Sequence, residues 1–207
     1  NDGTISASVT AHAIGREARA LAYATAITQR AKGRVADLLV YNEGSVEAEA
    51  TATATADNRA VAHAYATAIS QLASAADLAT ATVVNNSSIS AHALANGQGS
   101  TASIQRALAT ASAVLQVVEG DSIGTADLTN SASIMASATA HASGNPVSPV
   151  GFASANAFGA RQAVGLLTDL GEATASIDNS GDVVVNASAK AVTTGDAYAT
   201  ATAYGLG

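Results

Sequence analysis

The amino-acid sequence predicts an all-β parallel β-solenoid of about five stacked repeats around a thin, alanine-rich core. Three observations carry this prediction. Small apolar and polar side chains alternate with a period of two over long stretches, a unit of about 43 residues recurs along the chain, and bulky core-forming side chains are scarce.

The alternation is clearest at 45–58, SVEAEATATATADN, where alanine occupies positions 48, 50, 52, 54 and 56. Alanine is the strongest helix former, yet helix propensity is worth only a few tenths of a kcal/mol per residue, and no helix has a period of two. Alternation over ten residues describes a strand with one buried and one exposed face. Its recurrence in every copy outweighs propensity, so the segment is predicted as a strand.

The repeat orders the rest of the chain. NDGTISASVTAHA (1–13) recurs as NEGSVEAEATATA (42–54), NNSSISAHALA (85–95), NSASIMASATAHA (130–142) and NSGDVVVNASA (179–189). A single array over 1–207 follows, with repeats 1–41, 42–84, 85–129, 130–178 and an incomplete 179–207. The spacings of 41, 43, 45 and 49 residues imply corners of variable length. A second motif lies mid-repeat: ALAYATAITQ (20–29), AHAYATAISQ (62–71), ALATASAVLQ (107–116) and ASANAFGARQ (153–162), with AYATATAYGL (197–206) in the fifth copy. A third segment often carries Asp-Leu, as in VADLLV (35–40), AADLAT (75–80), TADLTN (125–130) and TDL (168–170).

Each element has a place in such a coil. Alanines on one parity face inward, where small side chains let two sheets approach closely. Ile5, Val46, Ile89, Ile134 and Val183, at the strand starts, fill the wider edges. Turns are expected at Gly15, at Asp57-Asn58, at 97–99 and at 144–149. Asn1, Asn42, Asn85, Asn130 and Asn179 head the repeats, and Gln29, Gln71, Gln116 and Gln162 close the second motif. Stacked rungs would turn these columns into amide ladders, a structural role in place of a catalytic one.

Composition narrows the function. Charged residues are 12% of the chain, the net charge is −7, and no basic run exceeds two adjacent residues, which speaks against nucleic acid as a partner. The chain has no cysteine, so disulfides, Cys-ligated zinc and thiol chemistry are excluded. No apolar run reaches the length of a membrane span and no signal peptide is evident.

Spacing decides among the remaining candidates. In register, His12 and His141 share an outward column but lie in the first and fourth copies, about 14 Å apart, and His92 is about 13 Å from His141. His63 is on the other motif, so the four are read as solvated side chains; no metal or cofactor is expected. Asp37, Asp77, Asp127 and Asp169 could hold calcium if stacked, but they follow their glutamines by 6 to 11 residues and read better as turn caps. Thr51 belongs to a column of Thr10, Leu94, Thr139 and Ser188, and Leu94 breaks the flat threonine plane that ice binding requires. Glu47 and Glu49 share one outward face, and no Gly-x-Ser-x-Gly, Walker or HExxH pattern occurs, so no enzyme is expected. Tyr23 and Tyr65 align outward, with Tyr198 nearby in the fifth copy.

The Asn-x-Gly-x-Ile-x-Ala-x-Ala opening and the Ala-Tyr-Ala-Thr-Ala-Ile-x-Gln element resemble the Ala/Thr/Ser-rich repeats of large bacterial exported proteins of the autotransporter and filamentous-haemagglutinin type. The resemblance implies an extracellular or cell-surface location and a structural or adhesive role. The expected function is a structural solenoid module of a surface filament or adhesin; the alternative is a module that binds carbohydrate or ice through an outward Thr/Tyr face. Neither end shows a capping helix or a charged final rung, so the stack is expected to continue, in a longer chain or by end-to-end self-association.

Overall fold

The structure, a computed structural model, describes residues 1–99, 104–144, 150–166 and 171–207. Among these residues there are strands and no helix: β1 (Thr4–Asn42), β2 (Ser45–Asn85), β3 (Ile89–Gly99), β4 (Ile104–Gly120), β5 (Ile123–Asn130), β6 (Ile134–Gly144), β7 (Val150–Leu166), β8 (Glu172–Asn179), β9 (Val183–Val192) and β10 (Asp196–Leu206). Their pairings are all parallel, as the repeat demands. The chain is a parallel β-solenoid.

One repeat makes one coil. β1 pairs with β2 from Thr4↔Ser45 to Asn42↔Asn85. β2 then pairs with β3, β4 and β5 of the next coil, and these with β6, β7 and β8. β9 and β10 lie on β6 and β7 as the fifth rung.

Each coil has three sides, which in rung two are 46–56, 59–75 and 78–85. Length variation is confined to the two corners between them. The partner offset is 41 residues at Gly15↔Ala56, 42 at Glu17↔Arg59 and 43 at Val35↔Leu78. Between rungs three and four it is 45 at Gly99↔Gly144, 46 at Ile104↔Val150 and 49 at Ile123↔Glu172. The corners at Gly15 and Asp57-Asn58 are bends in extended backbone instead of tight turns, because the parallel ladder resumes within one or two residues on either side. Residues 145–149 of the fourth corner lie outside the described residues. At Gly97 the first two sides come so close that a β-carbon would sit 2.8 Å from the Arg106 carbonyl oxygen, so only glycine fits without a shift.

The core is as thin as the alternation predicts. In rung two Ala48, Ala50, Ala52 and Ala54 on side one, and Ala60, Ala62 and Ala64 on side two, are fully buried. The inward parity then changes: Ala68 and Ile69 are both buried, and from Ile69 onward Gln71, Ala73 and Ala75 point inward. This bend divides the interior. The alanine sides share one cluster with Ile69, Val83, Ile89, Val114, Leu128 and Ile134, the bulky residues that fill the wider space near the bend. Beyond it, Ala73, Ala75, Ala79, Ala81, Val118 and Ala126 form a second, smaller cluster between sides two and three.

Candidate functional site

The polar residues that repeat on every rung bond to one another. Asn1 Nδ2 donates to Asn42 Oδ1 at 2.9 Å, Asn42 to Asn85 at 2.8 Å, Asn85 to Asn130 at 2.6 Å and Asn130 to Asn179 at 2.6 Å. Gln71 Nε2 donates to Gln29 Oε1 at 2.8 Å, Gln116 to Gln71 at 3.0 Å and Gln162 to Gln116 at 2.9 Å. Each glutamine also donates across the coil to side three: Gln29 to the Leu39 carbonyl, Gln71 to Thr82, Gln116 to Asp127 and Gln162 to Ser176. Asn42, Asn85, Gln71 and Gln116 are fully buried. A buried amide needs partners for both its donor and its acceptor, and the ladders supply them. These side chains clamp rung to rung, and the glutamines clamp side two to side three, with their amides committed to structure.

Other sequence candidates are dispersed. His12 and His141 stand in one column with Thr53, Asn96 and Lys190 between and beside them, His92 pairs with Ser137, and His63 lies on side two beside Leu21 and Leu108. No group of three or more His, Cys, Asp or Glu among the described residues could hold a metal ion. Glu47 and Glu49 pair with Ser90 and His92 on the outer face of side one. Thr51 aligns with Thr10, Leu94, Thr139 and Ser188.

Two features differ from the sequence expectation. Of the aspartates read as turn caps, Asp37 and Asp127 lie within side three, Asp37 opposite Thr80, to which it is hydrogen-bonded, and Asp127 opposite Thr82 and Ser176, whereas Asp77 sits in a corner with Arg34 Nε 2.5 Å from its carboxylate; the pairs do not stack, as their unequal spacing implies. Asp169 lies outside the described residues. Side three is registered from its closing asparagine, and the extra residues go into the corner, which displaces each Asp-Leu pair by a different amount. The fifth copy of the second motif is likewise shifted by two residues. Tyr198 pairs with Phe152 and not with the Tyr23–Tyr65 column, whose fifth member is Thr202.

The aromatic columns stack along the solenoid axis. Tyr23 and Tyr65 have centroids 4.8 Å apart at 6°, Phe152 and Tyr198 5.1 Å at 10°, and Phe158 and Tyr204 5.5 Å at 6°. Within each pair one face of each ring is covered by its partner, and Tyr23, in the first rung, remains 59% exposed.

The same outer face of side two carries a convergence that the linear sequence hides. Its column reads Arg19, Val61, Arg106, Phe152 and Tyr198 from rung one to rung five. Arg59 and His63 flank Val61 along β2. Val61 is on the outward parity, between inward Ala60 and Ala62, yet it is only 7% exposed because these longer side chains surround it. An open cavity of about 430 Å³ over it is lined by Glu17, Arg19, Arg59, His63 and Arg106. A second, of about 340 Å³, shares His63 and Arg106 and extends to Ser154, Phe152, Tyr198 and Thr200. Partial burial, then the charges of Arg19 and Arg106, push the His63 pKa below its ordinary value. The Arg106 guanidinium lies 5.8 Å from the Phe152 centroid. The arginines are 40 and 47 residues apart, so a scan for basic runs passes over them. Counting back from the glutamines finds them: Arg19 and Arg106 each stand ten residues before Gln29 and Gln116.

The chain matches no family model, no curated protein and no solved structure.

Proposed function

We propose that this protein is a structural, non-enzymatic solenoid module of an extracellular or cell-surface filament or adhesin. One observation carries the reading: the asparagines and glutamines that recur from rung to rung are bonded to their own copies, with Asn42, Asn85, Asn130, Gln71 and Gln116 buried, so repetition serves stacking. The resemblance of the alanine-rich motifs to exported surface repeats supports the location. In rung one β1 pairs with β2 alone, and in rung five β9 and β10 pair with β6 and β7 alone. A further rung, from the same polypeptide or from a second copy, would continue ladders already running through five rungs. Contact between unlike ends is heterologous and open, and its product is a fibre.

Light scattering and negative-stain electron microscopy on the 207-residue chain at neutral pH test this. Unbranched filaments one solenoid wide are expected, and Asn85→Leu should reduce them. A monodisperse monomer over the micromolar range would overturn the assembly that the reading requires.

A further inference from the structure

We propose that the outer face of side two, centred on Val61, is a binding site for a carboxylate-bearing oligosaccharide of the uronate type. Arg19, Arg59 and Arg106 hold the carboxylate, and the groove beyond His63 takes the neutral part of the sugar chain.

The geometry is that of a cross. Val61 is its centre, Arg19 and Arg106 are the arms one rung above and one rung below, and Arg59 and His63 are the arms two residues away along the strand. At about 4.8 Å per rung and 3.3 Å per residue, the arms span about 10 by 13 Å, within reach of flexible arginine side chains converging on one group. Among the described residues the only ion pair is Arg34–Asp77, so none of these three arginines has an ion-pair partner there. Three guanidinium groups gathered on one spot of a chain with net charge −7 repel one another, and an anion would relieve that repulsion. Glu17 is the single carboxylate in the lining, opposite Arg59 in the register, and it makes no ion pair with it. Planar guanidinium forks match a carboxylate in two-point contact, better than lysines would.

The rest of the groove selects the class of ligand. Past Arg106 the lining holds no further cation: Ser154 and Thr200 offer hydroxyls, with Leu108 and the edges of Phe152 and Tyr198 beside them. A polyphosphate backbone would need cations at every step, and the groove beyond Arg106 supplies none. One anionic group followed by hydroxyl-rich, uncharged structure fits an acidic sugar. The two cavities each exceed the roughly 300 Å³ at which ligand clefts begin.

Isothermal titration of the intact chain with a galacturonate tetramer at low salt tests the site. A glucose tetramer of equal length, inorganic phosphate and a sulfated oligosaccharide provide the comparisons. The uronate should bind at least tenfold more tightly than the glucose tetramer, and binding should weaken as salt rises. Arg106→Gln and Arg19→Gln, both on the outer face, should each reduce affinity about tenfold, while Arg30→Gln, an exposed cation elsewhere, should leave it unchanged; circular dichroism reports the fold of each variant. No uronate binding at low salt, or equal affinity in wild type and in folded Arg106→Gln, would overturn the site. Phosphate or the sulfated sugar binding as tightly as the uronate would overturn the assignment of the ligand. The filament assay is independent of these outcomes, so either reading can fail alone.

Discussion

Replacing Ala52 by leucine probes the core at its thinnest. Ala52 is fully buried on side one, with Ala11 and Ala95 on the adjacent rungs at the same position and the alanine face of side two in the same cluster. A leucine adds three carbons where the rungs repeat every 4.8 Å or so and the residues above and below are alanines, so the added bulk parts the sheets. Overpacking of this kind costs about 1–3 kcal/mol. The upper part of that range is expected here, since rung two has a neighbour on both sides and a parted sheet disturbs both interfaces. Thr53→Gln, one residue away on the outer face, is the control and should stay within about 0.5 kcal/mol. Urea denaturation monitored by circular dichroism measures both, read as a change of midpoint at constant slope. A neutral Ala52→Leu together with a disruptive Thr53→Gln would show that the faces have been assigned the wrong way round.

The asparagine ladder predicts a positional effect: Asn85→Leu loses bonds to Asn42 and Asn130, whereas Asn1→Leu loses the one to Asn42. At about 1–3 kcal/mol for each buried polar group left unsatisfied, the midpoint should fall clearly further for Asn85→Leu, and equal shifts would refute stacking. The lowered His63 pKa predicts a pH effect with a definite sign. The folded state binds this proton less readily than the unfolded chain, so His63 contributes stability present above the unfolded value of about 6.5 and lost as pH falls through the lower folded value. His63→Gln should flatten the stability profile in that window; an unchanged profile would place the pH dependence elsewhere.

Much of the fold was legible because the physics that fixes it is periodic. The alternation at 45–56 gives strand and face, the recurrence of Asn and Gln gives the rung, and Ile5, Val46, Ile89, Ile134 and Val183 align as the motif implies. Sequence and structure part where periodicity stops. Asp-Leu looked like a third marker, yet a corner of variable length precedes it, so the dipeptide slides along side three while Asn85 and Asn130 stay fixed. The shift of Tyr198 arises in the motif itself: Ala197 falls opposite Gly151, two residues before Ala153, where the motif begins in rung four. The bend at Ala68–Ile69 is not legible in the alternation, because two adjacent inward residues look like a local flaw when they are in fact its change of phase. The arginine cross was invisible for a different reason. Its members share no motif and meet only through the register.

That contrast bears on where function can reside in a solenoid. A residue repeated on every rung is committed to its own column: Asn85 and Gln116 are buried between their copies, and replacing them damages the stack before it could alter any ligand. Outward columns carry no such commitment. The one through Val61 runs Arg, Val, Arg, Phe, Tyr, with no two adjacent members alike, and its inward neighbour at Ala62 reads Ala20, Ala62, Ala107, Ala153 and Ala199. The same backbone spacing serves both columns, so the inner one fixes the position of the outer one to within the rigidity of the ladder. A five-rung array thereby holds Arg19, Arg59 and Arg106 in one place although no local element contains more than one side of the cross. Chemistry in such a chain belongs to the columns that break the repeat, held in position by those that keep it.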